Sequence, residues 1–150
     1  MKGSLIVDKK YACYSGLYCG HCAVKVKVEP AAKMLYDEMK SAGFEDVIAF
    51  IPGGEGFWPF LKGMSDEGVC VSCRDGSGNP GCAVRICAKG KSIEMCAFCE
   101  DYPCDKFNAF LKASVGYSVL EHDNALLRDK GWEAWMALQE GRRVKGYTYK

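Results

Sequence analysis

Over its 150 residues the chain carries 20 Lys and Arg against 19 Asp and Glu, a formal net charge of +1, and ten cysteines. A chain of this length can bury roughly 70% of the surface its unfolded form exposes, so size alone calls for neither metal nor disulfides. Near-neutral charge excludes the long-range field of a general nucleic-acid or anionic-membrane binder, and the longest strongly apolar stretch, Val47-Ile48-Ala49-Phe50-Ile51, falls far short of the ~18 residues of a membrane span.

In chain order, Leu5 to Val7 reads as a short strand. Ala23 to Glu29 alternates Val24, Val26 and Val28 with Lys25, Lys27 and Glu29, the period of a half-buried strand, and ends at Pro30. Ala31, Leu35, Met39 and Ala42 then share one helical face, with Pro30 suited to the first turn and Gly43 to the stop. Phe44 to Ile51 predicts a shorter helix closed by Pro52-Gly53-Gly54, and Glu55 to Lys62 a third. Phe44, Phe50, Phe57, Trp58 and Phe60 are expected in the core of these helices.

Between Gly68 and Cys104 the composition changes: seven cysteines lie among Gly, Asn and Pro, with too little apolar content to order the segment by burial. The helical signal returns in Phe107, Phe110 and Leu111. Ser118-Val119-Leu120-Glu121 has capping-box spacing and opens a helix expected to end at Gly131. A last helix runs from Trp132 to Glu140.

The start offers only three consecutive apolar residues before a charged run, against the ~7–15 of a secretory signal. A cytoplasmic protein is therefore expected, where reduced thiols serve as metal ligands or redox groups rather than as a disulfide framework. The central cysteines read Cys70-x2-Cys73-x8-Cys82-x4-Cys87-x8-Cys96-x2-Cys99-x4-Cys104. A Cys-x2-Cys turn presents two sulfurs to one metal with its amides free to bond the thiolates. Cys70 and Cys73 could close a site with Cys82 and Cys87, or interleave with Cys96 and Cys99. One of Cys13, Cys19 and Cys22 could complete a second site begun by Cys96, Cys99 and Cys104. Zinc is the expected metal. Cys13-x5-Cys19-x2-Cys22 stands one residue from the spacing of plant-type ferredoxins, which keeps an iron–sulfur cluster as the alternative cofactor.

Other patterns have plainer readings. Cys19-Gly20-His21-Cys22 is a disulfide-isomerase dithiol, but ten residues separate it from Asp8 and no helix pattern follows. Gly76-x-Gly78-x-x-Gly81 matches a dinucleotide fingerprint without the preceding strand, and reads as a connector. Gly53-Gly54-Glu55-Gly56 reads as a helix entry, His21 as a solvent-facing turn residue and His122 as surface. Arg142, Arg143, Lys145, Tyr147, Tyr149 and Lys150 read as a solvated terminus, so nucleic acid is not expected as a partner.

Taken together, Tyr18-Cys19-Gly20-His21-Cys22, Gly53-Gly54 to Trp58, Cys70-Val71-Ser72-Cys73-Arg74, Gly78-Asn79-Pro80-Gly81-Cys82, Arg85-Ile86-Cys87-Ala88, Cys96-Ala97-Phe98-Cys99, Tyr102-Pro103-Cys104 and Gly131-Trp132-Glu133-Ala134-Trp135 make the chain resemble a Cys-rich bacterial and archaeal family, domain of unknown function 3795. The chain departs from that family's start, where Cys-Gly-x-x-Cys is usual and Tyr14 follows Cys13 here. The resemblance implies a zinc-binding fold with no reaction attached. No nucleophile–base pair, paired carboxylates or phosphate loop is found, so the residues assign no catalytic role.

The expectation is a single α+β domain over residues 1–150, small and helix-rich, with a metal-ordered segment over 68–104. It would act as a binding or regulatory module for a protein or small-molecule partner, without membrane insertion. An iron–sulfur electron carrier or a thiol redox protein using Cys19 and Cys22 is the alternative.

Overall fold

The computed structural model describes residues 7–114 and 118–149. Among the described residues there are helices and turns but no strand, only one isolated antiparallel bridge between Ala12 and Tyr18, so the fold is all-α and the α+β expectation is corrected. Leu5 and Ile6 lie outside the described residues, and Val7 belongs to no element. The Val-Lys alternation forms a π-helical turn, Val24–Val28, that runs straight into α1. Alternation makes a strand only where a neighbouring strand completes its hydrogen bonds, and none is present among the described residues. Val26 and Val28 are exposed.

The chain folds as two compact units, residues 23–71 and residues 1–22 with 72–150. The first contains α1 (Glu29–Ser41), α2 (Phe44–Val47), a 3-10 turn (Ile48–Phe50) and α3 (Gly54–Asp66). Ala32, Tyr36 and Met39 recur on one face of α1, and Trp58, Leu61 and Met64 on one face of α3. The two faces close on each other, with the Tyr36 and Trp58 rings 5.0 Å apart. Gly43 ends α1 in the left-handed region, φ +73°. Gly54 is fixed by close approach, since a Cβ there would stand 2.1 Å from the Ile48 carbonyl oxygen. Of the five expected core aromatics only Trp58 is buried: Phe50 is 85% exposed and Phe60 64%. The Glu29 carboxylate accepts the backbone N–H groups of Val69 (3.0 Å) and Cys70 (3.2 Å), tying the end of this unit to the start of α1.

The second unit carries α4 (Ala83–Gly90), α5 (Asp105–Ala113) and α6 (Leu120–Val144), with 3-10 turns at Lys9–Tyr11, Cys19–His21 and Cys96–Phe98. Gly131 breaks α6 with φ +72° and ψ −171°, at the position where a stop was expected. The helix starts at Leu120 without a side-chain cap, so Ser118 does not form the expected capping box. One core cluster gathers Val7, Ala12, Tyr18, Met95, Ala97, Leu127 and Trp135. A second holds Val84, Cys96 and Phe107 between α4, the 96–98 turn and α5.

A buried polar chain links the terminus to α6. His21 Nε2 meets Gln139 Oε1 at 3.1 Å, Gln139 Nε2 donates to Asp123 Oδ2 at 3.1 Å, and Arg142 clamps both Asp123 oxygens. Tyr147 and Tyr149 pack edge-on to the His21 ring, and Tyr149 Oη accepts the Tyr18 N–H at 2.8 Å. His21 is therefore a core residue rather than a solvent-facing one, and the terminus through Tyr149 is docked rather than solvated. No helix of the described residues is long and apolar enough to cross a membrane.

Candidate functional site

None of the ten cysteines is in a disulfide. Cys70 sits in the 23–71 unit; the other nine lie in the second unit, where seven of them line two cavities and Cys19 adjoins one. The first cavity, about 20 Å³, is lined by Cys87, Cys96, Cys99 and Cys104. They arrive on three local devices. Cys87 projects from the last turns of α4, a helix unexpected from the segment's composition but seated by Val84 and Ala88. Cys96 opens the 96–98 turn and Cys99 closes it, its N–H bonded to the Cys96 carbonyl at 3.0 Å. Cys104 is the N-cap of α5, its carbonyl accepting from Asn108 N–H at 2.9 Å. Arg128 on α6 braces the turn by donating to the Ala97 carbonyl at 2.8 Å and the Cys99 carbonyl at 3.3 Å.

Two ammonium groups border these sulfurs: Lys91 Nζ is 3.8 Å from Cys99 Sγ, and Lys106 Nζ 3.6 Å from Cys87 Sγ. No sequence pattern singled these lysines out, beyond their closeness to cysteines in the chain. Burial, and then the neighbouring sulfurs of Cys104, Cys87, Cys99 and Cys82, push the Cys96 thiol up to about 12. A cation placed among these sulfurs would reverse that preference. Among the described residues, no three His, Cys, Asp or Glu side chains are gathered closely enough to hold an ion as they stand.

The second group centres on Cys13. Its Sγ lies 3.4 Å from Cys19 Sγ, and it lines the same cavity as Cys73. The Ala12–Tyr18 bridge turns the chain back on itself, with Cys13 N–H on the Leu17 carbonyl at 2.7 Å, which sets Cys13 and Cys19 on one face of the turn. Cys13, Cys73 and Cys82 line an open cavity of about 280 Å³ with Arg85 and Phe110. The sulfurs of Cys19 and Cys73, then burial, hold Cys13 well above the ordinary thiol range. The Cys13 hydrogen bond, a Tyr14 backbone N–H and the charges of Arg85 and Arg74 outweigh burial at Cys73 and bring it down to about 6.

The expected grouping of Cys82 with Cys87 is not what the fold brings together. Five residues span about 140° beyond a full helical turn, so Cys82 at the N-cap of α4 and Cys87 within it face different cavities. Cys70 and Cys73 belong to different units. Cys22 closes the Cys19–His21 turn and lines neither of these cavities, and Cys19-Gly20-His21-Cys22 forms a 3-10 turn rather than the start of a long helix. The glycines of Gly76-x-Gly78-x-x-Gly81 wrap a cation rather than an anion: Arg85 donates to the carbonyls of Ser77 (2.5 Å), Asn79 (2.7 Å) and Cys73 (3.4 Å).

The sequence profile described as "Protein of unknown function (DUF3795)" matches residues 11–109. The chain belongs to this family. No curated protein and no solved structure matches it. The DUF3795 match takes in all ten cysteines and, except for Phe110, the lining of both cavities, and it stops short of α6 and the docked terminus.

Proposed function

We propose that this DUF3795 chain is a metal-binding module in which Cys87, Cys96, Cys99 and Cys104 hold one zinc ion, ordering a surface for a protein or small-molecule partner. The observation that carries the reading is the shared cavity. Four sulfurs from α4, the 96–99 turn and the start of α5 line a space of about 20 Å³, room for about one water-sized sphere. That volume suits a single ion. The donor set is soft and all sulfur, the set of closed structural zinc sites. Four thiolates around a divalent ion carry two net negative charges, and two lysines stand against the sulfurs to offset them.

When bound, zinc in such a site supplies folding energy rather than an open position for catalysis. The chain's own residues do the remaining work: Arg128 fixes the carbonyls of the turn, Lys91 and Lys106 compensate charge, and Val84 and Phe107 exclude water. Ten cysteines outside any disulfide fit a reducing compartment such as the cytoplasm. The test is elemental analysis with a visible spectrum on protein purified without oxygen. About one zinc per chain in a colourless sample is expected. Iron with labile sulfide would replace the reading with an electron carrier, and metal-free protein that keeps its fold would remove it.

A further inference from the structure

We propose that Cys73, Cys13 and Cys19 form a thiol–disulfide relay that reduces a small organic disulfide entering the cavity beside Arg85. None of the three takes part in the proposed metal site, so the two readings stand or fall separately.

The order of the relay follows from position. Cys73 and Cys13 line the open cavity of about 280 Å³, whereas Cys19 does not, so an incoming disulfide meets Cys73 or Cys13 first. Cys13 is the shared neighbour, lining the same cavity as Cys73 and lying 3.4 Å from Cys19 Sγ, about 1.4 Å beyond a covalent S–S bond. Around Cys73, the buried Arg85 guanidinium bonds the Cys73 carbonyl and the loop behind it. Arg74 is anchored to the carbonyls of Ala12 (2.7 Å) and Glu94 (2.8 Å). Cys73 shares the open cavity with Arg85, whereas Cys13 lies against Cys19, which makes Cys73 the entering nucleophile and Cys13 the resolving thiol.

The chemistry balances as two exchanges and a transfer. Cys73 thiolate attacks one sulfur of the substrate R–S–S–R; the substrate S–S bond breaks, a Cys73–S–S–R bond forms, and R–S⁻ leaves. Cys13 gives its proton to that leaving thiolate and attacks the Cys73 sulfur. The Cys13–Cys73 bond forms, and the second R–S⁻ departs and takes a proton from water. The substrate has gained two electrons and the protein has lost two. Cys19, as thiolate, can then attack Cys13, moving the disulfide to Cys13–Cys19 and freeing Cys73; a small dithiol reductant resets the pair.

The experiment uses the full-length, metal-loaded protein, reduced, desalted and treated anaerobically with one equivalent of bis(2-hydroxyethyl) disulfide. Released mercaptoethanol is counted, and disulfides are mapped by mass spectrometry after acid quench and alkylation. Expected are two equivalents of mercaptoethanol and a disulfide joining Cys13 to Cys73 or to Cys19. Cys13→Ser should stop at one equivalent with mercaptoethanol bound to Cys73, Cys19→Ser should accumulate Cys13–Cys73, and Cys22→Ser should behave as the unaltered protein. A first adduct on any other cysteine overturns the relay, as does full release from Cys13→Ser. So does finding the three thiols unreactive together with a second metal ion per chain that Cys73→Ser loses. Mapping on the unaltered protein keeps the test valid should a variant misfold.

Discussion

Replacing Arg142 with methionine tests the buried polar chain that fixes the Cys19–His21 turn to α6. The Asp123 side chain is 1% exposed and that of Arg142 16%. Arg142 donates to both Asp123 oxygens, alongside Gln139 Nε2 at 3.1 Å and a contact with His122 Nδ1 at 3.1 Å. Methionine keeps the apolar stem but leaves a buried carboxylate without its cation. Removing one member of such a pair costs about 3–5 kcal/mol, and the partial exposure of Arg142 argues for the lower end, about 3 kcal/mol. For a chain of this size that corresponds to a fall in Tm of about 6–12 °C. The assay is urea unfolding followed by far-UV circular dichroism at pH 7 with zinc concentration held constant. Arg142→Met combined with Asp123→Asn should recover most of the loss, because the Asn oxygen still accepts from Gln139 while the charge is gone. A single variant costing under about 1 kcal/mol, or a double variant as unstable as the single, would refute the argument.

Three further outcomes follow from the same geometry. Stripping metal with a chelator should raise amide exchange across Cys82–Phe107 while α1 and α3, which carry no ligand, keep their protection; uniform protection would mean that no ion orders the segment. Lys91→Met with Lys106→Met should weaken zinc affinity by about 10- to 100-fold, read by competition with a chromophoric chelator, and an unchanged affinity would show that the ammonium groups do not support the sulfurs. Burial lowers the pKa of His21, so the unfolded chain takes up a proton below about pH 6.5 while the native chain stays neutral. Stability should accordingly fall as pH drops through that range, and His21→Phe should flatten the dependence; an identical slope in the variant would assign it elsewhere.

The helical stops at Gly43 and Gly131 were readable because a left-handed glycine at a helix boundary is a local property. The strand read over Ala23–Glu29 was not, because an alternating pattern needs a partner strand and the local letters cannot say whether one exists. Helix α4 escaped notice for a related reason. Its buried face is Val84, Arg85 and Ala88, and Arg85 is buried only because the Ser77 and Asn79 carbonyls receive its guanidinium. His21 was misread because its burial depends on Gln139, 118 residues away in the chain, and the terminal tyrosines because they pack on the His21 ring itself.

At the cysteines, the Cys96-x2-Cys99 turn followed by Cys104 was visible in spacing alone. That Cys87 rather than Cys13, Cys19 or Cys22 faces the same cavity as Cys96, Cys99 and Cys104 depends on the rotation of α4, and that Cys13 meets Cys19 depends on the turn closed by Ala12 and Tyr18.

The central claim is that Cys87, Cys96, Cys99 and Cys104 hold one ion, and the most direct test is the X-ray absorption spectrum of the protein purified without oxygen. Zinc with four sulfur neighbours at about 2.3 Å and no second metal shell is predicted. Nitrogen or oxygen neighbours, an iron edge with an iron–iron shell, or the same four-sulfur shell in the Cys96→Ser variant would contradict it.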